Sequence, residues 1–426
     1  MITMSILYDR LVRLAATSPT SYACIIDDRK YTYQDLVNAV DILAKQYISN
    51  KGEVMLIVER KLWSQLVHWL ALLKVGAYPV VCHKELNKER LEQMKHSITK
   101  IPKEADFAVL SSGTTGIPKV LWRSECSWVD YFSTQNTVFH INQSTKIFVQ
   151  GSFSFTGNTN MILSVLWMGG MIISSDSSFV KQWHHLMKLH QVSHMYMLPT
   201  KIKLLMRHIH DPLDSVHWII TGSQMLDSNL MKEITIFYPN AQWILYYGAS
   251  ELNYISWCNY EDWIDEPGTV GKPFPQVTVT VREGLLYIDT PYGVEGITMP
   301  YTVGDKGTIS NSGRIILQGR KETMINRGGY KLFIDSIEQM VHEVLGVEQA
   351  AAIRVDDSLR GDTYVLYIVI KKGFTKKEIE SGIKDVLTPI ERPQAIYIVP
   401  YIPLTDCAKI DKVTLQSWYN EKKKHR

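Results

Sequence analysis

The run Ser111-Ser112-Gly113-Thr114-Thr115-Gly116-Ile117-Pro118-Lys119 concentrates hydroxyls, two glycines and a cation in one short stretch. Those residue types suit a ligand rich in anionic oxygens. Glycine lets the backbone turn tightly and come close to a ligand. The hydroxyls and exposed N–H groups donate to phosphate oxygens, and the lysine adds positive charge. The Gly-x-x-x-x-Gly-Lys spacing of a Walker loop is absent, so this is a phosphate loop of another kind. An ordinary polar turn does not account for so many hydroxyl and glycine positions directly after the apolar run Phe107 to Leu110.

A loop of this kind works only on a scaffold that holds its ends. Short apolar runs at Glu53 to Val58, Tyr78 to Cys82, Phe107 to Leu110, Lys146 to Val149, Met171 to Ser174, His194 to Met197, His217 to Ile220 and Gln242 to Tyr246 read as strands. Helical patterns such as Leu7 to Ala16, Gln34 to Ile48 and Leu62 to Leu73 separate most of them, and Cys24 to Tyr33 reads as a hairpin. Alternation of this sort predicts an α/β domain of helix-covered sheets. After about Val277 short strands alternate with glycine turns, a β-rich subdomain. From Ile334 a helix, two strands, a helix and a strand form a small α+β unit. The expected domains are 1–319 and 320–426.

The chain has 426 residues, 45% of them hydrophobic and 21% charged, which is ordinary globular composition. Net charge is +3 and no basic stripe appears beyond the tail Lys422, Lys423, Lys424 and Arg426, which reads as a solvated terminus. No nucleic-acid partner is expected. Five scattered cysteines without a Cys-x-x-Cys pair fit a reducing, cytoplasmic compartment. No signal peptide and no transmembrane run are evident. His184, His185, His190 and His194 lack the glutamate of a His-Glu-x-x-His site and read as structural. Trp63, Trp69, Trp128, Trp167 and Trp183 read as packing.

Further motifs stand in a definite order. Thr221-Gly222-Ser223-Gln224-Met225 follows a strand. Tyr247-Gly248-Ala249-Ser250-Glu251, Gly304-Asp305, Gly319-Arg320-Lys321-Glu322, Gly328-Gly329-Tyr330, Ile337-Glu338 and Ala408-Lys409-Ile410-Asp411-Lys412 come after it, and Tyr31-Thr32-Tyr33-Gln34-Asp35-Leu36 stands near the start. With the phosphate loop, this series resembles the adenylate-forming superfamily of acyl-CoA synthetases, peptide-synthetase adenylation domains and luciferases. The appearance is nearest to a short acyl-CoA synthetase. The resemblance spans nearly the whole chain and implies a large N-terminal domain, a small mobile C-terminal domain, and an ATP site between them.

The resemblance implies ATP, Mg2+ and a carboxylic acid as reactants, forming an acyl-adenylate and pyrophosphate. Attack of a carboxylate on the α-phosphate joins two anions, so the site must screen both. Lys409 is the expected bridging cation, Glu251 the Mg2+ ligand, and Thr115 the third member of the catalytic set. ATP contacts are expected from Ser111, Ser112, Gly113, Thr114, Thr115, Gly116, Lys119, Gly222, Ser223, Gln224, Tyr247, Gly248, Ala249, Ser250, Asp305 and Arg320. Within this set Tyr247 would stack on adenine, and Asp305 has two oxygens for both ribose hydroxyls. Phe153, Gly157, Trp167 and Gly222 are candidates for the acyl pocket, Gly328 and Gly329 for a thiol channel, and Glu322 for the hinge.

Several positions depart from the family's pattern. Glu322 replaces the usual Asp or Lys, Ala408 a glycine, and Ser154 a common histidine. The stretch before Gly304 is shortened, and the chain is short for the family. These changes bear on substrate and acceptor rather than on the charged groups. Coenzyme A is the expected acceptor, because Arg327 to Tyr330 looks more like acyl-CoA synthetases and no carrier or condensation domain is attached. Loading of a phosphopantetheinylated carrier protein is the alternative. A non-catalytic nucleotide binder is the rival of another class, opposed by retention of Glu251, Asp305, Arg320 and Lys409. Neither the acid nor the oligomeric state is legible.

Overall fold

The computed structural model describes residues 5–84, 86–111, 118–209, 211–222, 228–320, 324–327, 330–357, 361–405 and 409–424. Two compact units emerge. The first comprises Met1–Gln224, Glu233–Thr278 and Ile288–Tyr301; the second is chiefly Val279–Tyr287 and Thr302–Arg426.

Two sheets build the first unit. The larger has nine strands in the order Lys272–Pro273, Asn253–Asn259, Gln242–Ala249, Trp218–Gly222, His194–Tyr196, Lys146–Val149, Met171–Ser174, Tyr22–Ile26, Arg29–Thr32. Its six inner strands, from Gln242–Ala249 to Tyr22–Ile26, run parallel, and the outer three join antiparallel. Parallel strands are buried on both faces, which is why they read as unbroken apolar runs. The smaller sheet sets Val54–Ile57, Tyr78–Val81 and Phe107–Leu110 parallel, then adds Val120–Arg123 antiparallel. Trp69, Phe107, Trp128 and Phe153 interlock in the core, with ring centroids 4.8–5.8 Å apart. Burying each such ring stabilises by about 2–3 kcal/mol.

In the second unit, Thr278–Arg282, Leu285–Asp289, Asp305–Ile309 and Ile315–Arg320 form a four-stranded sheet in chain order. A five-stranded sheet follows, in which Gly361–Ile370 lies between Val347–Asp357 and Met324–Arg327 and also pairs with Ala395–Ile398. The compact units do not break at Gly319. Ser336 Oγ donates to the Gln318 carbonyl at 2.6 Å, and the Lys306 ammonium lies 5.4 Å from the Phe333 ring centre. These contacts group the β-rich strands with the C-terminal part. The described lysines of the basic tail, Lys422 and Lys423, are exposed, and they stand on a helix. A helix, Lys412–Lys424, runs through it, and Lys422 lies 4.3 Å from the centre of the Tyr397 ring.

Candidate active site

The phosphate loop leaves one strand and enters its antiparallel neighbour, so its ends must meet. They do: Ser111 N–H donates to the Lys119 carbonyl at 3.0 Å, and Lys119 N–H donates to Ser111 Oγ at 2.9 Å. Ser112, Gly113, Thr114, Thr115 and Gly116 lie outside the described residues, as do Ser223, Gln224, Glu322, Gly328 and Gly329.

Beyond the loop, Tyr247-Gly248 sits on an irregularity of the strand pairing, where the register slips between the two residues. Such a slip bends the chain and re-aims the residues after it. Ser250 and Glu251 come directly after the strand. Ser250 Oγ donates to Thr156 Oγ1 at 3.0 Å, which ties the motif to the first turn of the helix Thr156–Met168. The Ser250 carbonyl accepts from the Arg123 guanidinium at 2.7 Å, and the Glu251 carbonyl accepts from Val294 N–H at 2.8 Å. The backbone that carries the Glu251 carboxylate is therefore pinned on both sides.

Sequence reasoning missed Arg123. Its side chain is wholly buried, lies 5.6 Å from the Trp128 ring centre, and also donates to the Tyr292 carbonyl at 3.0 Å and Ser127 Oγ at 3.3 Å. Burial pushes its pKa down to about 9, against the opposing pull of the Glu251 and Glu295 carboxylates. It remains a cation at neutral pH. A lone arginine closing the apolar strand after the phosphate loop is the one signal that pointed to it.

Two glycines beside this turn let tyrosines pack directly against the backbone. A Cβ on Gly157 would strike the Tyr196 hydroxyl, and one on Gly222 would lie 2.5 Å from the Tyr246 carbonyl and 2.7 Å from its ring. Tyr196 and Tyr246 are buried, stack in parallel with centroids 6.0 Å apart, and share a hydroxyl–hydroxyl bond of 2.6 Å. Tyr254 meets Tyr246 edge-on at 4.8 Å. Phe153 is buried next to the same helix, its N–H held by Gln65 Oε1 at 2.9 Å.

Trp167 stands apart from Gly157. It lies about ten residues beyond Gly157 on the same helix, roughly 15 Å along it at 1.5 Å per residue. There its carbonyl accepts from Arg10 at 2.9 Å, and its ring neighbours Phe132. The structure does not bring it to Gly157. Ser154 has a further surprise: His83, from the segment after the strand Tyr78–Val81, bonds its Oγ at 3.0 Å and stacks on Phe155. An imidazole thus reaches this position from a distant part of the chain.

The second unit holds the remaining expected residues. Asp305 is buried and pairs across the antiparallel ladder with Arg320. Lys409 sits in a tight hairpin closed by a bridge between Leu404 and Ile410.

A family model of AMP-binding enzymes matches residues 95–296, and one of the AMP-binding enzyme C-terminal domain matches residues 336–409. The chain belongs to the adenylate-forming superfamily. It is 25% identical to an uncharacterised acyl-CoA ligase, YhfT, of Bacillus subtilis over 75% of this chain and 70% of that one. It is 22% identical to a putative long chain fatty acid-CoA ligase, VraA, of Staphylococcus epidermidis, over 94% and 95% of the two chains. The o-succinylbenzoate CoA synthetase (MenE) of Bacillus subtilis, solved with an acyl-adenylate intermediate, superposes with a TM-score of 0.84 at 16% identity, covering 96% and 97% of the chains. That likeness carries the fold. The two family matches make the protein an adenylate-forming ligase. No helix among the described residues is long and apolar enough to cross a membrane.

Proposed function

We propose that this ligase is an acyl-CoA synthetase. A substrate carboxylate oxygen attacks the α-phosphorus of ATP, the bond from that phosphorus to the bridging oxygen breaks, and pyrophosphate leaves. The coenzyme A thiol then attacks the acyl carbon, loses its proton, and releases AMP. The observation that carries this reading is the pinned Ser250–Glu251 turn against the helix start at Thr156 and Gly157. It holds the Glu251 backbone beside the Ser250 hydroxyl and the start of the helix that carries Gly157, which supports reading Glu251 as a metal ligand next to an acyl site.

Glu251 suits Mg2+, which takes one or two carboxylates and fills its other positions with phosphate oxygens and water. Bound there, the ion neutralises charge on the phosphates. Ser250 and Thr156 orient the α-phosphate, Asp305 takes the ribose hydroxyls, and Lys409 supplies the cation between carboxylate and phosphate. A change of domain orientation about Glu322 would exchange Lys409 for the thiol between steps. The deciding experiment is pyrophosphate release with ATP over a panel of carboxylic acids, followed by thioester formation with coenzyme A. Thioester on a phosphopantetheinylated carrier protein alone would make this a carrier-loading ligase, and no release with any acid would make it a nucleotide binder.

Two outcomes test the site itself. Glu251→Gln will raise the Mg2+ concentration needed for half-maximal adenylation, because a neutral amide is a poorer ligand for a hard cation. An unchanged Mg2+ titration would move the metal elsewhere. Tyr196→Ala will shift acid preference toward bulkier acids by on the order of 10-fold in kcat/KM, as the space below Gly157 opens. If the ranking of acids in the panel stays the same, the tyrosine pair does not bound the acyl pocket.

A further inference from the structure

Described residues close the base of the hairpin that carries Lys409. Thr405 N–H donates to the Lys409 carbonyl at 2.7 Å, Lys409 N–H to Thr405 Oγ1 at 3.3 Å, and Asp411 N–H to the Pro403 carbonyl at 2.8 Å. The next residue, Lys412, reaches Glu338 Oε1 at 3.0 Å. The same oxygen of Glu338 accepts Ala352 N–H at 2.6 Å, so one carboxylate joins the helix Ile334–His342, the strand Val347–Asp357 and the end of the hairpin.

Burial raises the Glu338 pKa, while Lys412 and the Ala352 N–H pull it back. Taking a carboxylate out of water costs several kcal/mol, and a buried ion pair seldom adds net stability over apolar packing. Apolar anchors already exist here. Leu415 is fully buried in a cluster with Ala351, Ile353 and Val365, and Ile410 and Trp418 pack against it. The Lys412 ammonium, itself partly exposed, also lies 3.9 Å from Asp335 Oδ1 on the same helix.

We propose that Glu338 is a positioning residue for acyl-adenylate formation: through Lys412 it holds the Lys409 hairpin in the orientation the first half-reaction needs. This rests on the reading of Lys409 as the adenylation cation. Glu338 touches no substrate, and the second half-reaction, which does not use Lys409, should not need it.

The test uses the full chain with Glu338→Gln, Lys412→Met, Lys412→Arg and Lys409→Ala, and the acid that works best in the panel. Pyrophosphate release and thioester formation from added synthetic acyl-adenylate are followed separately, with thermal unfolding alongside. Glu338→Gln keeps the shape and the Ala352 bond, so it guards against a Lys412→Met that fails to fold. The expected result is a 30-fold or greater fall in kcat for pyrophosphate release, on the order of the loss of one transition-state contact. KM for ATP should change little, thioester formation should stay within about 3-fold, and Lys412→Arg should recover most of the first step. Equal loss of both half-reactions would make Glu338 merely structural and overturn the proposal, as would unchanged pyrophosphate release. Normal pyrophosphate release by Lys409→Ala would instead overturn the underlying reading of Lys409, whatever the Glu338 variants do.

Discussion

Replacing Lys409 with alanine will slow acyl-adenylate formation by about 10²-fold or more, with ATP binding largely preserved. The reaction brings a carboxylate against a phosphate that already carries negative charge. In the proposed mechanism Lys409 is the cation that serves that transition state. A contact that forms only there lowers the barrier without tightening ground-state binding, so its loss falls on kcat rather than on KM. Single-turnover pyrophosphate release and equilibrium ATP binding separate the two quantities. A variant with near-normal release would remove Lys409 from the chemistry.

Arg123→Met will cost both stability and activity. It strands the carbonyls of Ser250 and Tyr292 in a buried site, and each orphaned group costs about 1–3 kcal/mol. It also frees the backbone behind Glu251. Adenylation should fall on the order of 10- to 100-fold, with a raised Mg2+ requirement and a lower unfolding midpoint. Arg123→Lys should recover part of each, since one ammonium replaces a fork that reaches both carbonyls. If the Mg2+ requirement stays fixed while stability drops, Arg123 supports the fold and not the metal site.

Much of the fold was legible in the sequence wherever burial writes itself as a run. Phe107–Leu110 and Met171–Ser174 are strands at the predicted residues because both faces are covered and polar residues are excluded. The strand Asn253–Asn259 escaped notice because asparagine, serine and cysteine interrupt its apolar residues, and its pairing with Gln242–Ala249 is a tertiary fact. The helix Lys412–Lys424 was hidden for a similar reason: few apolar residues anchor it and the rest face water. The site divides along the same line. Contiguous motifs such as Tyr247 to Glu251 announce themselves. Arg123, His83 and Tyr196 act through neighbours far away in the chain, and Glu338, though part of a motif, has partners at Ala352 and Lys412 that a single sequence does not record.

The nine-stranded sheet places Tyr22–Ile26 in parallel with Met171–Ser174, Ile26 facing Ser174. During synthesis the first of these strands emerges long before its partner. A ribosome adding roughly 5–20 residues per second takes about 7–30 s to supply the missing edge. Throughout that wait Ala23, Cys24, Ile25 and Ile26, all buried in the finished protein, have only the hairpin strand Arg29–Thr32 beside them. An uncovered apolar edge of this kind pairs readily with other chains. Yield in a producing cell will therefore depend on how fast the middle of the message is read and on how crowded the nascent chains are, even for variants whose mature stability is unchanged.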